Sequence, residues 1–209
     1  MPIKDKVTPA LRKRFLQEIK KSTETEKERG FHICIEDNGK LSAGDTCIAN
    51  NSNMLSEECS MKFQNIGISC PGKKVQGDFH THPYLAEVRK SFGITFKASD
   101  ELIRSATETF LEERGMTPTI PSHADARSAV LGKCSKRTEG TTCVVNNSNM
   151  LSSDLDLNKV ECWTIKQMED NDCLRALVEH LTPDEEGYKL PKDWIKPLFE
   201  IEMIRLKRG

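Results

Sequence analysis

Two histidines stand one residue apart in the string Gly77-Asp78-Phe79-His80-Thr81-His82-Pro83, at the end of the segment KVQGDFHTH. On a β-strand alternate side chains share a face, so both imidazoles point the same way. That suits two nitrogen ligands on one metal ion, at about 2.0–2.1 Å each. A catalytic centre also needs a third protein ligand and an open position. Further along, Asp125 falls in the expected first turn of a helix and can supply a carboxylate oxygen. Ser122, three residues earlier, can turn a hydroxyl toward a developing oxyanion.

The elements that must position these groups can be read outward from them. Residues 74–82 read as a strand. Upstream, GFHICI (30–35) and KLSAGDTCIA (40–49) flank EDNG, and an Asn-Gly between two such segments is a hairpin signal. Thr8-Pro9 opens an amphipathic helix over about 9–21, with Leu11, Phe15 and Ile19 at four-residue spacing. A helix is expected over 99–114, capped at Ser99, and another beyond Pro121-Ser122. TTCVVNN and KVECWTIK read as strands. The segments 168–181 and 190–209 read as helices, with Pro197 kinking the last. The sequence also repeats itself once. TCIANNSNMLS (46–56) and TCVVNNSNMLS (142–152) agree at nine of eleven positions, a strand-to-turn solution used twice or two loops beside one cleft.

His80-Thr81-His82-Pro83 followed by Ser122-His123-Ala124-Asp125 resembles the signature of the JAMM (JAB/MPN+) metalloproteases, H-[S/T]-H-P…S-x-x-D. The likeness covers roughly residues 25–165 and points to a prokaryotic or archaeal type of member. It implies that His80, His82 and Asp125 bind zinc and that Ser122 assists the tetrahedral intermediate. It also implies an upstream Glu acting as general base, and cleavage of isopeptide bonds of ubiquitin-like proteins. The implied fold is α/β, a mixed curved sheet flanked by helices of the JAB/MPN, cytidine-deaminase-like kind. The expected organisation is a single domain over 1–209, a helical insertion at 84–120 and a C-terminal helical extension at 166–209.

Two features depart from that pattern. Between Pro83 and Ser122 lie 38 residues, where the family has about seven; the excess matches a helix with its loops. The family base sits three residues before a glycine, a position held here by Lys27, whereas Glu28 lies two before Gly30. Strand parity favours Glu28: if Phe31, Ile33 and Ile35 face the core, then Glu28, Gly30 and His32 share the other face. Glu26 has the same parity, lies further out, and is the alternate base.

The 31 Lys+Arg against 32 Asp+Glu give a net charge of −1, without the basic excess of a nucleic-acid binder. No apolar run approaches the ~20 residues of a membrane span, so the expectation is a cytoplasmic protein with no membrane or nucleic-acid partner. The eight cysteines form no CxxC pair and read as buried thiols packed as small apolar filler. Disulfides would imply an unusual intracellular setting such as a hyperthermophile. Two other functions compete with zinc peptidase. One is a non-catalytic scaffold of the same fold that binds a modifier. The other is a phosphoesterase or amidohydrolase, whose D-x-H-x-H string Asp78, His80 and His82 also match; those folds are usually barrels with the motif on the first strand.

Overall fold

The computed structural model describes residues 1–49, 66–83, 85–95, 97–113, 121, 123–145, 159–168, 172, 173, 175 and 196–206. A short helix α1 (Ile3–Lys6) precedes α2 (Pro9–Thr25), where Thr8 Oγ1 accepts from the Leu11 amide at 3.1 Å and Pro9 occupies the first turn. The strands β1 (Arg29–Ile35), β2 (Leu41–Ala43) and β3 (Cys47–Ile48) follow. After α3 (Ile66–Ser69) comes β4 (Lys74–Thr81), and then a helical stretch of α4 (Leu85–Phe92), α5 (Asp100–Glu113) and α6 (His123–Cys134). The chain re-enters the sheet as β5 (Thr138–Val145), β6 (Lys159–Ile165) and β7 (Phe199–Arg205).

The seven strands form one curled mixed sheet in the order β2-β1-β4-β5-β6-β7, with β3 also on β1. Among the described strands that neighbour each other in this order only β4 and β5 are parallel, and the three helices α4–α6 lie in the crossover between them. Helices cover both faces. Leu11, Phe15 and Ile19 of α2 pack on Phe31, Ile33 and Phe79. Phe15, Phe31 and Phe79 meet with ring centroids 4.8–5.5 Å apart. On the opposite face Ala126, Ala129 and Val130 of α6 pack on Trp163, Ile165 and Phe199. This is a mixed α/β architecture of a curved sheet flanked by helices, as the sequence suggests.

Two glycines are fixed by close approach. A Cβ on Gly77 would lie 1.8 Å from the Thr141 carbonyl oxygen. Gly140 has φ +75°, and a Cβ there would press on α6 at Lys133 Cβ, 2.9 Å away.

The helix expected at the C-terminus is corrected at 199–205, which form the edge strand β7 in full register with β6. In FEIEMIR, Phe199, Ile201 and Met203 alternate with Glu200 and Glu202, a period of two. Pro197 sits in a short 3-10 turn before the strand rather than kinking a helix. Among its described residues, segment 84–120 holds two helices, α4 and α5, rather than one. They share a small apolar cluster of Val88, Ala106 and Phe110 apart from both main cores.

The cysteines are corrected as well. Cys34–Cys70, Cys134–Cys173 and Cys143–Cys162 are disulfides, and Cys47 is disulfide-bonded too. The fold brings thiols far apart in sequence to Cα separations of 5.6 Å in the first two pairs, and β5 and β6 set Cys143 directly opposite Cys162. Among the described residues no helix is long and apolar enough to cross a membrane. The two NNSNMLS repeats and Ser122 lie outside the described residues. The strands that lead into the repeats, β3 and β5, run in the same direction as β4, so all three end at one edge of the sheet.

Candidate metal centre

His80 lies near the end of β4, and His82 extends the strand pairing by one step, its amide donating to the Val145 carbonyl at 2.9 Å. Both side chains are buried. Their rings face the side of the sheet covered by α6, with centroids 4.9 Å apart. Asp125 is the third residue of α6, where an acidic side chain is favoured by the helix dipole. The packing of Ala126, Ala129 and Val130 on the sheet fixes the roll of the helix and so aims Asp125 at β4. Asp125 Oδ2 lies 3.1 Å from His80 Nε2 and 3.7 Å from His82 Nε2. Candidate ligand atoms of all three residues fall within 4.8 Å of one another.

The donor set fits a divalent ion. Two ligands on a tetrahedral ion at about 2.0–2.1 Å stand roughly 3.3 Å apart, between the two distances seen here. His80 supplies a second, independent argument. Its Nδ1 lies 2.8 Å from Asp78 Oδ2, and in the neutral ring that nitrogen donates to the carboxylate. Nε2 is then a bare acceptor, buried, without a hydrogen-bond partner, and facing another acceptor in Asp125. A cation or a proton between them resolves the clash. Without a metal it is the proton: burial opposes the charge on His80, but Asp125 and Asp78 overcome it and raise its pKa well above the ordinary value. His82 goes the other way, pushed by burial and by its charged neighbour His80 to about 4, so it is neutral and ready to coordinate.

Glu28 precedes β1. Gly30 pairs with His80, and Glu28, Gly30, His32, Asp78 and His80 all line one cleft of about 510 Å³, the parity expected from the sequence. Burial, then Asp125, Asp78 and Glu87, raise the Glu28 carboxyl to about 7, against an opposing pull from His80. Such a value suits proton transfer near neutrality. The backbone here is pinned on several sides. The Glu28 carbonyl accepts from Ala49 at 2.9 Å, the Arg29 amide donates to Thr81 Oγ1 at 3.0 Å, and Ser22 Oγ donates to the Lys27 carbonyl at 2.8 Å. The Arg29 side chain is held by buried Glu18 at 2.6 Å. Glu26, the alternate, is instead the left-handed cap of α2 and pairs with Arg89 of α4 at 3.1 Å.

The structure therefore brings together His80, His82, Asp125 and Glu28. It adds Asp78, with Thr142 Oγ1 donating weakly to its Oδ2 at 3.4 Å. The signal for Asp78 was its place two residues before His80, on the same strand face; that for Thr142 is tertiary. Comparison with known protein families and with curated proteins finds no match to this chain.

Proposed function

We propose that this chain is a zinc-dependent peptidase or isopeptidase of the JAMM type, acting on (iso)peptide bonds such as those of ubiquitin-like modifiers, on a JAB/MPN-like fold. The observation that supports it is the convergence of two imidazoles and a carboxylate, with a separate carboxyl, Glu28, lining the same cleft as His80 and Asp125. Borderline zinc prefers such a nitrogen-rich, oxygen-containing set with an open position, and when bound it supplies Lewis-acid activation of water and of the substrate carbonyl.

The chain's own residues do the rest. His80, His82 and Asp125 hold the ion, and Asp78 fixes the His80 ring. Glu28 accepts a proton from the attacking water and returns it to the leaving amine, two transfers for which a pKa near neutrality is suited. Ser122 is assigned to the oxyanion from its place in the motif. Against an amidohydrolase or phosphoesterase, the paired histidines here sit on the fourth strand of an open mixed sheet, not on the first strand of a barrel.

Elemental analysis is expected to find one zinc per chain, lost in Asp125→Ala. Glu28→Gln should keep the zinc and lower turnover of an isopeptide-linked substrate by about 10²–10⁴-fold, the usual worth of a general base. Zinc binding with no cleavage by the wild type would leave the scaffold reading in its place. Zinc retained in Asp125→Ala would sink the ligand assignment.

A further inference from the structure

Both peptide groups that flank Glu28 are held by side-chain hydroxyls. The Lys27 carbonyl before it accepts from Ser22 Oγ at 2.8 Å, and the Arg29 amide after it donates to Thr81 Oγ1 at 3.0 Å. The two hydroxyls also meet each other, 2.7 Å apart. Ser22 spends its hydrogen on the Lys27 carbonyl, so Thr81 donates to Ser22 rather than to the Arg29 carbonyl at 3.4 Å. The result is one directed chain, from the Arg29 amide to Thr81, from Thr81 to Ser22, and from Ser22 to the Lys27 carbonyl. The Ala49 amide fixes the Glu28 carbonyl separately, at 2.9 Å.

The peptide planes on either side of a residue set its φ and ψ, and with them the direction of its Cβ. The hydroxyl chain therefore aims the Glu28 side chain. It also ties that aim to the candidate ligands. Thr81 stands between His80 and His82 on the strand, so its side chain takes the opposite face of the sheet, where it meets Ser22 of α2. Ser22 and Thr81 are both fully buried. Neither lines the cleft, whereas Glu28, His80 and Asp125 do. The pair thus works from behind the sheet, through the backbone, without touching what the cleft holds.

We propose that Ser22 and Thr81 are positioning residues for Glu28, their hydroxyl pair setting its carboxyl at a fixed reach from the candidate metal site of His80, His82 and Asp125. The task of Glu28 as a base rests on the peptidase reading; the clamp on its backbone does not.

Two readouts test this, one with turnover and one without. Thr81→Val keeps the shape of the side chain and removes the hydroxyl; Thr81→Ser keeps the hydroxyl. On the zinc-loaded chain, with an isopeptide-linked substrate, Thr81→Val and Ser22→Ala should each lower kcat by about 10–100-fold, the scale of a small misplacement, with KM and zinc content little changed. Thr81→Ser should restore most of the rate. In a Glu28→Gln background Thr81→Val should add little to the loss, because the two residues act as a unit. Hydrogen exchange followed by NMR needs no turnover. In Thr81→Val the Arg29 amide should exchange about tenfold faster, a local opening. The Lys166 amide, bonded to the Leu198 carbonyl at 3.0 Å, should keep its wild-type rate and so report that the fold is intact. An Arg29 amide that exchanges as in the wild type overturns the clamp. So does a loss of rate that Thr81→Ser fails to restore, or one that comes with loss of zinc. Wild-type kcat in Thr81→Val and Ser22→Ala would remove the positioning role and spare the peptidase reading. Faster Arg29 exchange in a chain that cleaves nothing would keep the clamp and remove that reading.

Discussion

The two nitrogens of His80 have different tasks, and Asp78 separates them. By accepting from Nδ1 at 2.8 Å, the carboxylate fixes both the tautomer and the ring plane, leaving Nε2 for an ion. Asp78→Ala should therefore weaken zinc binding by about 10–100-fold in competition with a chromophoric chelator, although Asp78 is not itself among the proposed ligands. An unchanged affinity would mean that packing alone orients the ring. Glu28 yields a pH prediction for the metal-free chain. Its folded pKa, about 7, exceeds the ordinary 4.5, so the native state binds more protons than the unfolded chain between those values. Stability contributed by this group is present at low pH and falls as pH rises through that window. His82, held at about 4, acts in the opposite sense, because its unfolded form binds the extra proton. The difference between wild type and Glu28→Gln isolates the Glu28 contribution. The substitution should flatten the fall in denaturation midpoint from pH 5 to pH 7.5, and parallel pH profiles would contradict the burial argument.

Among the elements, the join between α2 and β1 sets where Glu28 stands, and two ion pairs hold it unequally. Glu18 is 2% exposed and bridges Arg29, Arg14 and the Thr46 hydroxyl. Removing it strands a buried guanidinium, so Glu18→Ala should cost about 3–5 kcal/mol in chemical denaturation. Glu26–Arg89, which ties α4 to the end of α2, is partly solvated, and Arg89→Ala should cost no more than about 1 kcal/mol. Equal costs would show that burial does not grade these pairs. The same contrast explains what was readable beforehand. The α2 stripe, the hairpin around Asn38-Gly39 and the shared face of Glu28, Gly30 and His32 follow from local period and parity, and each is found. The candidate metal cluster was legible because its members are carried by a strand and a helix start with a recognisable spacing. The Glu18–Arg29 pair was not, since nothing local distinguishes a buried glutamate on a charged helix. Nor was β7: its alternating apolar residues were outweighed by charges that suit a helix equally well. Helix α4 buries little beyond Val88, too little to mark a period.

At the scale of the whole molecule, the sheet is closed by covalent links as well as by its two cores. Cys34–Cys70 ties β1 to the turn after α3, whose Ser69 hydroxyl meets His32 Nδ1 at 2.5 Å in the cleft wall. Cys143–Cys162 crosses β5 and β6 inside the core under α2, and Cys134–Cys173 ties the end of α6 to residue 173. These links close loops of 36, 19 and 39 residues in sequence separation. Chain-entropy reasoning makes each worth about 3–4 kcal/mol, by restricting the unfolded chain. A thiol reading passes over this because neither burial nor strand position distinguishes a lone cysteine from a paired one; only the tertiary register brings Cys143 opposite Cys162. Such bonds persist in oxidising compartments and inside hyperthermophiles and are rare in ordinary cytosol. Protein purified without reductant, unfolded in guanidinium and treated with an alkylating reagent should leave these six cysteines unlabelled, and label them after reduction. Reduction should also lower the denaturation midpoint, because the cores must then hold the sheet alone. Labelling of Cys143 or Cys162 before reduction would return that pair to packed thiols.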